Sequence, residues 1–495
     1  MERRNFLKNM GVIGVAVAAP ITIVRAATVQ PGDTDLSVIT LKGRVSSSGR
    51  AISGVAVTDG LNVTVTNASG EYTLLTNKTT KFVYISLPSG YEFPHEKSLT
   101  KFFKEIDHAQ NEFNANFELK KLSRSDEKHA FIVFSDPQIQ NERDARLLLE
   151  HSAPDLKALV DTYSKDTLIH GIGCGDLVWD NFALFADYKR AIGMSGIPFF
   201  NVIGNHDMDN EARSDEGSSD TFKKHFGPTY YSYNRGQVHY IVLDDVFFLG
   251  AVKKYIGYIT ETQLQWLEQD LKLVKAGSTI VLSLHIPTFT GQLRREKSRD
   301  EGLGGSVANR KLLYEMLKDY QVHIMSGHTH FNEVWQENNI TEHVHGTVCG
   351  GWWTGDICGD GTPNGYGVYE VDGGKLSWYY KATGKPKTHQ IRIYPPGKHT
   401  EFNAEVCINI WNWDKRWQIE CIADGKSLGV PEQRTAYDPM AFELLEGDSK
   451  PKPRGWVDPI LTDHLFFVKA PLNARVIKVV AKDPFGHTYT ETLTL

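Results

Sequence analysis

The chain runs to 495 residues, too many for one hydrophobic core, so roughly two to four domains are expected. Hydrophobic content of 41% and charged content of 23% are ordinary for a globular protein and exclude a broadly disordered chain. A formal net charge of -6 argues against a general nucleic-acid or membrane-surface binder.

The N-terminus reads as an address. Arg3 and Arg4 open a twin-arginine run, an apolar stretch follows over 10–24, and small residues near Ala26 suit a signal peptidase. This predicts an export signal over 1–26 and a periplasmic or extracellular protein. A membrane anchor fits less well, because the apolar run falls short of the ~20 residues that span a bilayer and contains Pro20. No later stretch is long enough to span, so none is expected in the mature protein. The 5 cysteines do not have disulfide-framework or zinc-knuckle spacing. Cys407 and Cys421 flank a possible hairpin and could pair; otherwise the thiols read as small buried hydrophobes.

Three textures follow. Residues 32–122 carry short alternating runs broken by Gly and Asn, at 55–60, 63–67 and 70–74, which predict a small β-sandwich. A polar linker spans 120–128. Over 127–380, apolar runs at 131–134, 168–172, 199–203, 279–284 and 322–325 read as buried strands. Helical patterns at 142–163, 260–275 and 306–320 alternate with them, which makes this an α/β domain. From 388 to 495 alternation returns at 406–411, 417–422 and 476–480, predicting a C-terminal β domain.

The chemistry lies at the ends of the middle strands. Each apolar run is followed by a candidate metal ligand: Asp136-Pro137-Gln138, Asp176, Gly204-Asn205-His206-Asp207, His285, and His328-Thr329-His330. Sites in α/β folds form beyond the carboxyl ends of the strands, so five ends can converge. A lone Asp after a strand is usually a turn or cap, and a lone His is usually a core residue. The ordered set of all five has no such explanation.

That set resembles the calcineurin-like metallophosphoesterases over about 250 residues. The flanking regions resemble an exported bacterial subgroup, on residues 43–74 and 360–366 and on His464. The resemblance implies a four-layer αββα sandwich core flanked by N- and C-terminal β-sandwich domains. It implies two divalent metal ions and hydrolysis of a phosphate mono- or diester by a hydroxide bridging them. One metal would take Asp136, Gln138, Asp176 and His330, and the other Asp176, Asn205, His285 and His328. His206 would protonate the leaving oxygen, with Asp207 holding its tautomer.

One departure stands out. The first motif usually reads Asp-x-His, and here it reads Asp136-Pro137-Gln138. The harder donor set leans toward Mn, Mg or Fe over Zn. Trp179, Asp180, Trp352, Trp353, Asn364 and Tyr366 are candidate substrate contacts; Trp352 and Trp353 could equally pack beneath the metal loops. Residues 211–220 suit a loop beside the site, and His323, His343 and His345 read as structural. The expected substrate is a phosphorylated small molecule or glycan, with no nucleic-acid binding beyond a nucleotide substrate. The rival reading is a glycan- or protein-binding protein with a relic core.

Overall fold

The computed structural model describes residues 38–251, 253–291, 303–448, 450 and 454–495. The 1–26 signal lies outside the described residues. Two sheets form the centre. The first has seven strands, with Lys128–Phe134, Leu168–Cys174 and Phe199–Val202 parallel at its middle. Gly365–Asp372 and Lys375–Ala382 extend it antiparallel on one side. The second has six strands, with Val238–Val242, Thr279–Ser283, Gln321–Ser326 and Ile340–Val344 parallel.

Strand alternation stacks the layers. Phe131, Val133, Ile172 and Val202 on one sheet meet Tyr231, Tyr233, Tyr240 and Val281 on the other in one buried cluster. The opposite faces carry helices. Ile132 and Phe134 pack on Leu148, Leu156, Phe185 and Tyr188, while Ile280, Leu282 and Ile324 pack on Leu264, Leu267, Leu313 and Leu317. The parallel strands at the middle of both sheets are covered on both faces, which explains why they read as continuous apolar runs. The order is helix, sheet, sheet, helix, as the resemblance implied.

The helix expected over 142–163 is broken. Glu142–Leu147 and Ala153–Thr162 are α-helical, and a π turn at Leu148–Ser152 joins them. Pro154 has no N–H for the regular ladder, and the wider turn accommodates it. The helix Glu261–Leu271 starts where Thr260 caps the Gln263 amide.

The N-terminal β region is continuous with the core. Ile39, Leu41 and Phe102 share the inter-sheet cluster with Phe131, and Leu99 pairs with Phe199 at the edge of the first sheet. The C-terminal region is a sandwich of two four-stranded sheets. Val406–Asn409 lies in one sheet and Gln418–Ala423 in the other, so they form no hairpin. The Cys407–Cys421 pairing is thereby corrected. Cys407 packs with Leu465 and Phe467, Cys421 joins the sandwich core, and all five thiols are free and buried. Among the described residues, no helix is long and apolar enough to cross a membrane.

Candidate metal centre

The carboxyl ends of both sheets meet at one place. Asp136, Asp176 and Asn205 follow parallel strands of the first sheet, and His285, His328 and His330 follow those of the second. Asp176, His285 and His328 each offer a ligand atom, all within 4.8 Å of one another. His285 Nε2 lies 3.3 Å from Asp176 Oδ1 and 3.2 Å from Asn205 Oδ1. His330 Nε2 lies 3.6 Å from Asp136 Oδ1. The Gln138 amide donates to Asp176 Oδ2 at 2.9 Å.

The backbone is bent to achieve this. Asp136, Gln138, Asp176, His328 and His330 all sit at left-handed φ, between 41° and 68°. Non-glycine residues there cost ~1–3 kcal/mol each and persist where the surroundings over-determine them, which happens at ligand clamps. The glycines among them have a different task, close approach. A Cβ on Gly204 would run into Asp176 N and Oδ1, and one on Gly327 into Asp136 Oδ2. Gly204→Ala is therefore expected to weaken metal retention about 10–100-fold, the range seen when the groups that orient ligands are disturbed. Metal analysis after dialysis against a chelator checks this.

Hydrogen bonds outside the cluster fix the ring orientations. His285 Nδ1 donates to the Cys174 carbonyl at 3.1 Å and His330 Nδ1 to the Gly350 carbonyl at 2.9 Å. His328 Nε2 donates to the Gly304 carbonyl at 3.0 Å. His328 and His330 thus keep the other nitrogen as a lone pair for a ligand, and His285 offers one when its Nε2 proton gives way to a cation. Asp245 Oδ1 accepts from the His285 and Ile286 amides and braces that loop.

The charge pattern suits divalent cations. Burial lowers His328 to about 3 and His330 to about 4, so both rings are neutral, the form that ligates. Burial raises Asp136 to about 7, with the Asp176 charge adding to it. Asp176 goes the other way: burial opposes its ionisation, but His285 and His206 hold it well below the carboxylate range. His285 is raised to about 10 by Asp176 and Asp136 despite its burial. A proton there balances two buried carboxylates, the service a cation would perform. The donor set fits divalent metal. The described amide orientation of Gln138 presents nitrogen to Asp176, and an exchange of its amide O and N supplies an oxygen ligand.

His206 stands beside this cluster, and its partner differs from expectation. Its Nδ1 donates to Asp180 Oδ1 at 3.0 Å. Asp180 is held in turn by Lys253 Nζ at 2.8 Å and by Asn210 Nδ2 at 3.3 Å. Asp207 turns away. Its oxygens accept the backbone amides of Leu177, Val178 and Gly204 at 2.9–3.1 Å, tying the Asp176 loop to the Asn205 turn. The expectation that Asp207 holds the His206 tautomer is corrected accordingly. Burial disfavours the charged His206 ring, yet Asp176 and Asp180 raise its pKa. A cavity of about 170 Å³ opens next to it, lined by Asp180, Asn205, Asn210, Lys253 and Tyr255.

The candidate substrate contacts divide. Trp179 packs edge-on to His206 at 5.5 Å, and Trp352 stacks on His330 at 3.9 Å. Trp353 is buried and donates to the Pro137 carbonyl, so it underpins the first metal loop instead of facing substrate. Tyr366 is also corrected: it is fully buried, with its hydroxyl on Asp155. It sits on a strand face turned to the helix layer, beside Phe134. Asn364 donates to the Val348 carbonyl and lines a different cavity, with Arg143 and Asp155. His323 and His343 pair at 3.1 Å and His345 binds Ser326 and Tyr369, all structural contacts. Arg454 and Trp456, absent from the expectations, reach the same loops from the C-terminal domain.

Comparison with solved structures returns proteins of low identity. A dimetal phosphatase from Danio rerio is 13% identical, with 52% of this chain and 97% of that one covered and a TM-score of 0.34. PhoD is 10% identical, with 77% and 85% covered and a TM-score of 0.36. A purple acid phosphatase from yellow lupin, Lupinus luteus, is 14% identical, with 67% of each chain covered and a TM-score of 0.36. No curated protein matches the chain. Family models are more telling. The calcineurin-like phosphoesterase model matches residues 129–332, the model of that family's N-terminal region matches 39–122, and the model of its C-terminal region matches 342–489. With the three in chain order over nearly all of 39–489, this chain belongs to the calcineurin-like phosphoesterases that carry N- and C-terminal extension domains.

Proposed function

We propose that the chain hydrolyses a phosphate mono- or diester at a site for two divalent cations. One would be held by Asp136, Gln138, Asp176 and His330, and the other by Asp176, Asn205, His285 and His328. The observation that carries this is the cluster of Asp176, His285 and His328 within 4.8 Å at the meeting point of both sheets. Bound cations supply Lewis-acid neutralisation of the phosphoryl oxygens and acidify the attacking water.

The remaining work belongs to the chain. Asp176 would serve both positions, where its charge would offset the repulsion between like charges. His206 has Nδ1 committed to Asp180, which leaves Nε2 to deliver a proton to the leaving oxygen. Burial opposes the charge on Asp180, but His206 and then Lys253 hold its carboxyl below the usual range, and Lys253 keeps it in place. Asp207 fixes the spacing of the two loops that carry Asp176 and Asn205. Oxygen donors from Asp136, Asp176, Gln138 and Asn205 favour manganese, iron or magnesium over zinc. Export by the 1–26 segment belongs to the same reading.

The test supplies manganese and measures hydrolysis of an aryl phosphate monoester and an aryl diester, with metal content determined on the same sample. Turnover that needs the metal is the expected result. Metal-free protein without turnover would instead favour a relic core serving two binding modules.

A further inference from the structure

The C-terminal domain reaches the metal loops through one short stretch. Arg454 Nη2 pairs with Asp144 Oδ2 at 2.7 Å, with side chains 9% and 0% exposed. Its Nη1 donates to the Trp352 carbonyl, and its guanidinium carbon lies 5.1 Å from the Trp179 ring centre. Nearby, Trp456 packs edge-to-face on Trp352 at 4.9 Å and on Trp179 at 5.7 Å. Those two indoles are the ones that touch His330 and His206.

Trp352 also sits at a left-handed φ of 53°, where a bulky side chain is held only by its surroundings. Its carbonyl is held by Arg454, from the other domain. Trp456 itself is 52% exposed. An indole that open, beside a buried ion pair that anchors its segment, adds little to any core.

We propose that Trp456 is a specificity-determining residue. With Trp179 and Trp352 it forms a rim of three indoles that stacks the flat ring of the leaving group, a nucleobase or the apolar face of a sugar. Arg454 is the positioning residue that holds the rim. The inference rests on the phosphoester reading and names its substrate class. The rim runs continuously from both site histidines, so a ring seated there belongs to the group whose oxygen faces His206. Apart from Arg454, whose charge is answered by Asp144, the rim is indole, and it gives a small or charged leaving group nothing to bind. Aromatic stacking of one ring changes affinity roughly 5–100-fold.

The test compares wild type, Trp456→Ala and Trp456→Phe as full chains with manganese, on methyl phosphate, a hexose phosphate and a nucleoside monophosphate. For the ring-bearing ester that the wild type prefers, Trp456→Ala is expected to raise KM at least about fivefold with kcat little changed, and Trp456→Phe to recover most of the loss. On methyl phosphate, which has no ring, the ratio of variant to wild type should stay near one. Preference for the nucleoside or the hexose ester identifies the ring. An equal loss on methyl phosphate, or no loss on either ring-bearing ester, overturns the proposal. Fluorescence titration with the same two ring-bearing compounds reads the rim without turnover. If the wild type hydrolyses none of these three monoesters and no aryl diester either, the phosphoester reading fails, and the rim is judged by titration alone: weaker binding in Trp456→Ala supports it, and equal binding overturns it.

Discussion

Replacing His206 with alanine is expected to lower kcat about 10²–10⁴-fold while leaving metal content unchanged, the range for loss of a general acid. The ring lies beside the metal cluster with its Nδ1 on Asp180, and it is not one of the proposed ligands. Only its backbone amide touches a candidate ligand, donating to Asp176 Oδ1 at 2.8 Å, and alanine keeps that bond. Asp180→Asn provides the graded companion. The amide still fills the space between His206, Asn210 and Lys253, but it no longer anchors the imidazole by charge. A smaller fall, roughly 10–100-fold, is expected, and an ester with a better leaving group should lose less in either variant. Unchanged kcat in His206→Ala would remove the acid from the mechanism.

Asp207→Ala is expected to act on stability instead. The carboxylate is fully buried and accepts three backbone amides, from Leu177, Val178 and Gly204. Alanine orphans all three, at ~1–3 kcal/mol for each buried donor. That is a large share of the ~5–15 kcal/mol by which a domain is folded. Asp207→Asn keeps one acceptor oxygen and turns a donor toward another donor, so its damage should fall between wild type and alanine. Thermal unfolding of the metal-free chains measures the order. A variant as stable as wild type but slow in turnover would return Asp207 to the role of orienting His206.

The swap between Asp207 and Asp180 shows where sequence reading stops. The resemblance implied that Asp207, the next residue, serves His206. Both lie in the 3-10 turn Asn205–Asp207, where successive side chains diverge by about 120°, so neighbours face different partners. Asp180 reaches the ring from another loop altogether. The ligand positions were legible because each ends a continuous apolar strand, and parallel strands in a covered sheet deliver their carboxyl ends to one side. Tyr366 was misread because a strand alternates faces, and the sequence does not say which face meets a helix. Trp456 carried no local signal at all. Its meaning comes from Trp179 and Trp352, contacts that exist only once the C-terminal sandwich docks. The N-terminal texture likewise gave no hint that Leu99 completes an edge of the central sheet.

Metal stoichiometry tests the shared site most directly. Wild-type protein loaded with manganese and freed of excess should retain about two ions per chain, and Asp176→Ala, which removes a ligand from both positions, should retain less than about one. Retention of no metal by the wild type, or the same stoichiometry in Asp176→Ala, would contradict a dinuclear centre built on Asp176.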